Sequence, residues 1–313
     1  MRLKSACALI LVFCLALGPL SACDKQADAR LKVFCTLFPQ YDFARQIGGD
    51  KLNLIFMLEP GQDYRSHKPG KAQIKKYAAC DIFIYTNDII EPWVLENLDL
   101  LKSKGAVIVN ACDGAAFDIN LAHDEHTHKG EDHSDHEHGL EPHVWTNPLN
   151  AALMAENVGR SLIVADPDNA KIYRANLEVL KGQLLNLDAL FSDALSQNRR
   201  KPLVMADRFT LQYFTMKYSV GYLSAISSCA QNSAPSPETF EKLAKAVKSQ
   251  NISYVFYREL SDKSIALKLS EETGAIPLLF HSCENLSSEE WEAGNTFVSL
   301  MQDNAKNLKT AFS

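Results

Sequence analysis

The chain has 313 residues and carries 32 Lys and Arg residues against 38 Asp and Glu residues, a net charge of −6 near pH 7. This acidic balance argues against nucleic acid as a partner, because nucleic-acid binding requires clustered basic residues. It suits a protein that collects cations. At about 100–200 residues per domain, the length predicts two domains.

The first residues have the pattern of an export signal. Arg2 and Lys4 precede an apolar run from Ala6 to Leu17, which is too short to cross a bilayer permanently, so we expect its removal. Leu20-Ser21-Ala22-Cys23 resembles a lipobox and implies acylation of Cys23. An ordinary secretory signal with an incidental cysteine is the alternative. The lipobox predicts an extracytoplasmic protein anchored to a membrane by lipid, facing the periplasm or the outer cell surface.

Strand and helix patterns alternate through the first half of the chain. The predicted strands are Leu31–Leu37, Leu52–Leu58, Asp81–Tyr85 and Ala106–Asn110. Between them, apolar residues at helical spacing predict helices around Tyr41–Ile47, Lys71–Ala78 and Glu91–Leu101. Residues 115–140 break the pattern, because they are polar, charged and rich in histidine.

The second half begins with helices from Pro148 to Ile163 and from Pro167 to Leu195, the latter roughly 40 Å long at 1.5 Å per residue. The strands predicted after them are Pro202–Met205, Val220–Leu223, Ile252–Tyr257 and Ala275–Phe280. Further helices are predicted at Pro237–Gln250 and Ser288–Ala311. Alternation on both sides of the long helix predicts the α/β class with two parallel-sheet lobes.

We therefore expect four segments. They are a signal peptide at 1–22, an N-terminal lobe at 23–165, a linking helix at 166–197 and a C-terminal lobe at 198–313. The N-terminal lobe includes a disordered loop at 115–140.

The nine histidines are distributed unevenly. Six lie within the polar loop: His123, His126, His128, His133, His136 and His138. Neutral imidazole is a common ligand of zinc, copper and nickel. The loop composition cannot form a core, and ordering mobile ligands costs entropy. These features predict that the loop collects or senses metal, and that the high-affinity metal site lies elsewhere. A solvated polar loop or a tag is the alternative, although interleaved acids argue against a tag.

A second histidine environment is the segment Glu141-Pro-His-Val-Trp-Thr-Asn-Pro148, which contains His143. Prolines on both sides restrict the backbone, and this restriction suits a preorganised ligand. A buried structural histidine is the alternative.

This segment, followed by Asn150, Ala151 and Met154, resembles a signature of the zinc- and manganese-binding proteins of ABC importers (cluster A-I). The resemblance extends to Pro60-Gly61, to Asp81-Ile-Phe-Ile-Tyr with Glu91-Pro-Trp, and to Ala234-Pro-Ser-Pro. An acidic, histidine-rich loop directly before the signature is typical of the zinc members. The resemblance implies two α/β lobes joined by one long rigid helix, with the metal in the cleft between them.

The family uses four ligand positions, and this chain matches them unevenly. His143 matches the second position. Arg65 stands at the first position, but a cationic arginine facing zinc would be unfavourable. His67, two residues further on, could substitute for it as the ligand. Asp207 is the only residue of ligand type near the third position, and it could equally pair with Arg208.

The fourth position falls on His281, just beyond a predicted strand, at the sheet edge where ligands bind in this architecture. Ala234 replaces the glutamate of the manganese-type site. Three histidines with a carboxylate or water form a zinc-like set, because manganese prefers more oxygen ligands.

Five cysteines remain outside the signal and the anchor: Cys35, Cys80, Cys112, Cys229 and Cys283. Cys229 and Cys283 resemble the disulfide pair of some zinc members. A thiolate ligand from one of them is the alternative. The sequence does not assign partners to the other three.

The expected function is capture of Zn²⁺ as cargo and its delivery to an ABC permease with its ATPase, by a monomer that is not an enzyme. A metal-storage or adhesin lipoprotein without a transporter is one alternative. A zinc hydrolase is another, but no His-Glu-x-x-His motif is present.

Overall fold

The computed structural model describes residues 28–115, 141–197, 201–227 and 234–313. Within these ranges there are two four-stranded parallel sheets, one in each lobe. The N-terminal sheet has the order β2-β1-β3-β4, with β1 Leu31–Cys35, β2 Leu52–Phe56, β3 Ile82–Tyr85 and β4 Val107–Asn110. The C-terminal sheet has the order β6-β5-β7-β8, with β5 Leu203–Arg208, β6 Tyr222–Ile226, β7 Tyr254–Tyr257 and β8 Ile276–Leu279. The predicted fold class is confirmed.

Helices connect the strands in both lobes. The first six are α1 Phe38–Gly48, α2 Lys71–Tyr77, α3 Pro92–Glu96, α4 Leu98–Lys102, α5 Pro148–Ala165 and α6 Ala170–Ala194. The others are α7 Gln212–Tyr218, α8 Pro237–Ser249, α9 Ser264–Thr273, α10 Ser288–Glu292 and α11 Phe297–Phe312. In the part of the chain that is described, none of them combines the length and apolar character needed to span a membrane.

Two helices predicted as continuous are interrupted. The segment Glu91–Leu101 forms α3 and α4, with a break at Asn97, whose Nδ2 donates to the Trp93 carbonyl at 2.8 Å. The final predicted helix divides into α10 and α11 at Gly294, which has φ = 71°. That left-handed conformation ends a helix and favours glycine. Periodicity alone did not reveal either break, because the apolar spacing continues across both.

The long helix α6 has a stripe of buried side chains at helical spacing, formed by Leu177, Leu180, Leu184, Leu187 and Phe191. This stripe packs against α1 and α5 and against the C-terminal helix α11. The resulting apolar core is continuous, because Val33 of the first sheet and Phe297 of α11 belong to the same buried cluster. The two lobes are therefore joined by packing as well as by the chain.

Direct contacts close the junction between the lobes on one side. The Trp291 indole stacks on Phe56, with ring centroids 5.6 Å apart, and lies 5.3 Å from the ring of Tyr41. The buried Asp42 carboxylate accepts the Phe297 backbone N–H at 2.7 Å. Aromatic stacking and charge-assisted bonds at one junction restrict the relative movement of the lobes.

Polar side chains gather at the carboxyl edge of the N-terminal sheet. The Glu91 side chain is buried, and its Oε2 accepts the backbone N–H groups of Thr86 at 2.7 Å and Asn87 at 3.3 Å. Burial is the dominant influence and raises the pKa of Glu91 to about 7, although hydrogen bonds from Thr36 and Thr86 oppose it. The carboxyl group therefore favours its neutral form within the fold.

Glu91→Gln tests this assignment through the pH dependence of stability. The pKa of Glu91 is raised from 4.5 to about 7 on folding, so the wild type should lose stability as pH rises through this window. Relative to Glu91→Gln, the wild type should lose up to about 1.4 kcal/mol in the free energy of unfolding per pH unit, because unfolding releases the Glu91 proton in this window. Urea unfolding at a series of pH values measures the difference. A constant difference from pH 4 to 8 would contradict a neutral Glu91.

Candidate metal centre

The candidate site lies where the carboxyl ends of the second sheet face a turn of the first lobe. Strand β7 is followed directly by Arg258 and Glu259, and β8 is followed shortly by His281. The facing turn is a short 3-10 helix, Val144–Thr146, which His143 precedes. Ligands of open parallel α/β sheets bind beyond the carboxyl ends of the strands, as at this edge.

His143 is fully buried, and both of its ring nitrogens face carboxylates. Nδ1 contacts Glu141 Oε1, which also accepts the His143 backbone N–H at 3.0 Å. Nε2 lies 2.7 Å from Glu284 Oε1 in the other lobe. Beside it, Trp145 Nε1 donates to the Ser282 carbonyl at 2.8 Å and holds the turn against the second sheet. The rigid turn predicted from the flanking prolines thus places an oriented imidazole at the lobe junction.

Glu284 shares one carboxylate oxygen between two partners. Its Oε1 accepts from Arg258 Nη1 at 2.5 Å and lies 2.7 Å from His143 Nε2. Burial alone would raise the pKa of Glu284, but Arg258 and His143 outweigh burial and hold this pKa well below its usual range. The carboxylate is therefore ionised in a nearly dry environment.

Arg258 is only 5% exposed and lies between two acids. Its Nε is 4.0 Å from Asp207 Oδ1, and its backbone N–H donates to Asp207 Oδ2 at 3.4 Å. Asp207 also accepts the Arg208 backbone N–H at 2.7 Å, whereas the Arg208 guanidinium lies 3.7 Å from Asp63. The side-chain cation nearest to Asp207 is therefore Arg258, and the alternative pairing with the Arg208 side chain is not seen.

His281 is held in one orientation by the loop after β8. Its backbone N–H donates to Asn304 Oδ1 at 2.7 Å, and its Nδ1 accepts the Cys283 backbone N–H at 2.9 Å. Cys283 has φ = 61°, a left-handed conformation that is unusual for a residue with a side chain. With Nδ1 occupied, Nε2 is the only ring nitrogen left for a metal, and it lies 3.4 Å from Glu290 Oε2.

The Glu259 carboxylate binds backbone N–H groups of the loop that follows β8. It accepts the Ser282 backbone N–H at 2.6 Å, the Ser282 hydroxyl, and the Glu284 backbone N–H at 3.4 Å. Burial favours a neutral His281, but the charges of Glu259 and Glu290 outweigh burial and raise the pKa of His281. Glu259 therefore orients the loop that carries His281 and Glu284.

His67 lies apart from this group of charges. Its Nε2 is 3.2 Å from the Tyr77 hydroxyl of α2, and the Arg65 guanidinium pairs with Asp63. The ring that faces His143 from this segment belongs to Tyr64, with centroids 6.4 Å apart. Among the described residues, no three His, Cys, Asp or Glu side chains are grouped as a ready metal site. His143 and Asp207 are thus connected by contacts through Glu284 and Arg258. His67 lies outside this group, in contact with Tyr77 of α2.

Several predicted residues lie outside the described residues: Cys23, the six loop histidines from His123 to His138, and Cys229. Cys283 is buried and carries a free thiol, which gives no support to its predicted bridge with Cys229. Burial is the main reason that the pKa of this thiol is raised well above its usual value. Cys35, Cys80 and Cys112 are also buried free thiols.

Sequence reasoning missed Glu141, Glu284 and Arg258. Glu141 was visible as an acid two residues before His143, a spacing that permits a contact within one turn. Arg258 and Glu284 are 26 residues apart on different loops, so only the three-dimensional structure brings them together.

The fold and the polar site at the lobe junction define a class, the two-lobed solute-binding proteins with parallel α/β lobes. Residues 33–311 match the ZnuA family, described as "Zinc-uptake complex component A periplasmic". The chain belongs to this family, and the resemblance recognised from the His143 segment is confirmed.

Known relatives agree with this placement. The chain is 29% identical over 309 residues to the zinc-binding lipoprotein AdcA of Streptococcus pneumoniae, a match that covers 98% of this chain and 59% of that protein. It is 26% identical to the high-affinity zinc uptake system protein ZnuA of Bacillus subtilis, over 97% of this chain and 94% of the relative. The Zn(II)-bound ZnuA-like domain of S. pneumoniae AdcA is 25% identical, with a TM-score of 0.75 over 90% of this chain and 99% of the domain. The chain therefore spans only about 59% of AdcA.

Glu284→Gln should destabilise the protein, because it removes the charge that compensates buried Arg258. Breaking one partner of a buried ion pair costs about 3–5 kcal/mol in the free energy of unfolding. Urea denaturation of the metal-free protein measures this loss. Glu238→Gln is the matched control, since Glu238 pairs with Lys242 on the exposed surface, and its stability should remain that of the wild type. Equal stability of both variants would contradict the assigned ion pair.

Proposed function

We propose that this protein is the extracytoplasmic zinc-binding component of an ABC importer, which captures Zn²⁺ as cargo and delivers it to a membrane permease. The observation that carries the proposal is His143, a buried imidazole set between the carboxylates of Glu141 and Glu284 at the junction of the lobes. Imidazole nitrogen and carboxylate oxygen are both ligands that zinc accepts. Membership in the zinc-uptake family supports the same cargo.

The remaining parts of the function are proposals on the same basis. The ATPase of the importer would drive transport after the loaded protein docks on the permease. The chain would make and break no covalent bond and so would not act as an enzyme. The lipobox ending at Cys23 supports anchoring as a monomer at the extracytoplasmic membrane surface.

The ligand shell that we propose is centred on His143. Asp207, near the end of β5, and His281, just after β8, lie at the carboxyl edge of the second sheet, the edge that faces the turn of His143. Glu284 is already 2.7 Å from the His143 nitrogen. His67 would join only by exchanging its contact with Tyr77 for the metal. A shell rich in imidazole favours zinc over manganese, which prefers more oxygen ligands.

His143→Ala should weaken zinc binding by at least about 100-fold, because it removes the best-oriented nitrogen ligand. His67→Ala is the comparison, and it should weaken binding less, since His67 must first leave Tyr77. Competition with a chromophoric chelator, on protein freed of metal, measures both affinities. Wild-type affinity in His143→Ala would overturn the proposed site.

Deletion of residues 122–138 separates the loop from the cleft. The polar and charged composition of residues 122–138 predicts a high entropy cost for ordering metal ligands, so its six histidines should provide weaker sites. The deletion should lower the number of bound zinc ions while the tightest ion remains, as measured by calorimetry. Loss of the tightest ion would place the principal site in the loop.

A further inference from the structure

The most unusual group at the proposed site is a buried cation. Arg258 donates from Nη1 to Glu284 at 2.5 Å and lies beside Asp207, so its charge occupies the region between two candidate ligands. A site for a divalent cation is ordinarily lined by neutral or anionic donors, because like charges repel strongly where water is scarce. A buried guanidinium is therefore unexpected at a site proposed to bind Zn²⁺.

The distances show that Arg258 and a metal would compete for the same oxygen. Zinc binds a carboxylate oxygen at about 2.0–2.2 Å. Since Nη1 is 2.5 Å from Glu284 Oε1, an ion on that oxygen would lie within about 4.7 Å of the arginine nitrogen. At that separation the two cations repel each other strongly where water is scarce, so entry of the metal favours movement of the guanidinium away from Glu284.

The bonding of Arg258 is incomplete, which favours such movement. Among the described residues, its buried Nε has no hydrogen-bond partner, and Asp207 Oδ1 lies beyond bonding distance at 4.0 Å. A buried donor without a partner weakens the hold on the side chain. In contrast, Glu284 keeps a second contact with His143 at 2.7 Å and would stay in place when Arg258 leaves.

We propose that Arg258 is an internal counter-cation, which neutralises and positions Glu284 and Asp207 in the empty protein and is displaced by the incoming metal. This inference rests on the proposed zinc function and concerns how that site is regulated. The two carboxylates stay in place without metal. The return of Arg258 to Glu284 opposes retention of the metal, so Arg258 lowers affinity and speeds release to the permease.

Arg258→Met tests the proposal, because methionine keeps much of the side-chain volume and removes the charge. The variant should bind zinc at least about tenfold more tightly and release it more slowly, since the repulsion and the competition are both lost. Chelator competition gives the affinity, and stopped-flow capture by excess chelator gives the release rate. Arg258→Lys keeps a charge and should stay nearer to the wild type in both measurements.

Arg208→Met is the matched control. Arg208 ends strand β5 in the same region, but its guanidinium faces Asp63 rather than Glu284. Its removal should leave zinc affinity within a few-fold of the wild type, because no candidate ligand loses a competitor. Equal or weaker binding by Arg258→Met, or an equal gain in Arg208→Met, would overturn the role of Arg258.

The two proposals fail in different ways. If His143→Ala retains wild-type zinc binding, the proposed site is wrong whatever Arg258 does. If His143→Ala abolishes binding while Arg258→Met leaves affinity and release unchanged, zinc capture stands and the counter-cation is wrong.

A measurement on the unmodified protein covers the case in which Arg258→Met does not fold. The Arg258 Nε–H resonance, assigned with the Arg258→Lys variant, should change environment and exchange faster with water after one equivalent of zinc. The faster exchange is expected because the guanidinium leaves its buried position. An unchanged resonance and exchange rate would overturn the proposal.

Discussion

The Glu284 carboxylate is the interaction on which the proposed site depends, because it contacts both His143 and Arg258. Its Oε1 accepts from Arg258 of the second lobe and lies 2.7 Å from the Nε2 atom of His143 in the first, so one oxygen links the two lobes. Without metal, this arrangement depends on the pairing of Arg258 with Glu284, because either group alone would be a buried charge without compensation. The loop around Glu284 is shaped accordingly, with Glu259 binding its backbone and Cys283 in a left-handed conformation. One left-handed non-glycine residue of the described chain therefore lies in the loop where the cargo is proposed to bind.

The fold could be predicted from the sequence because its signals are local and repeated. Apolar strands alternate with amphipathic helices, and a 25-residue helix separates the two sets. The same reasoning missed the helix breaks at Asn97 and Gly294, where backbone geometry rather than apolar spacing ends a helix. Family membership was likewise visible in the segment around His143, because a rigid motif leaves a contiguous trace in sequence.

The candidate site could be predicted only in part. His143 was found because its environment is encoded by its neighbours, including Pro142 and Pro148. Arg258 and Glu284 were missed because their pairing depends on how two loops of one sheet are folded together, and nothing at either position marks the other. The contact of His67 with Tyr77 joins residues ten positions apart, and nothing in the sequence at either position marks the other. Sequence thus identified the types of donor atoms better than their positions.

The shared core has a consequence for how the molecule is put together. Because Val33, Leu184 and Phe297 belong to one buried cluster, each lobe buries part of its apolar surface against the other. This shared cluster couples the stability of the two lobes, although each lobe also has a buried cluster of its own. A lobe exchanged with that of a relative 26–29% identical would have to match α6 and α11 as well as its own sheet.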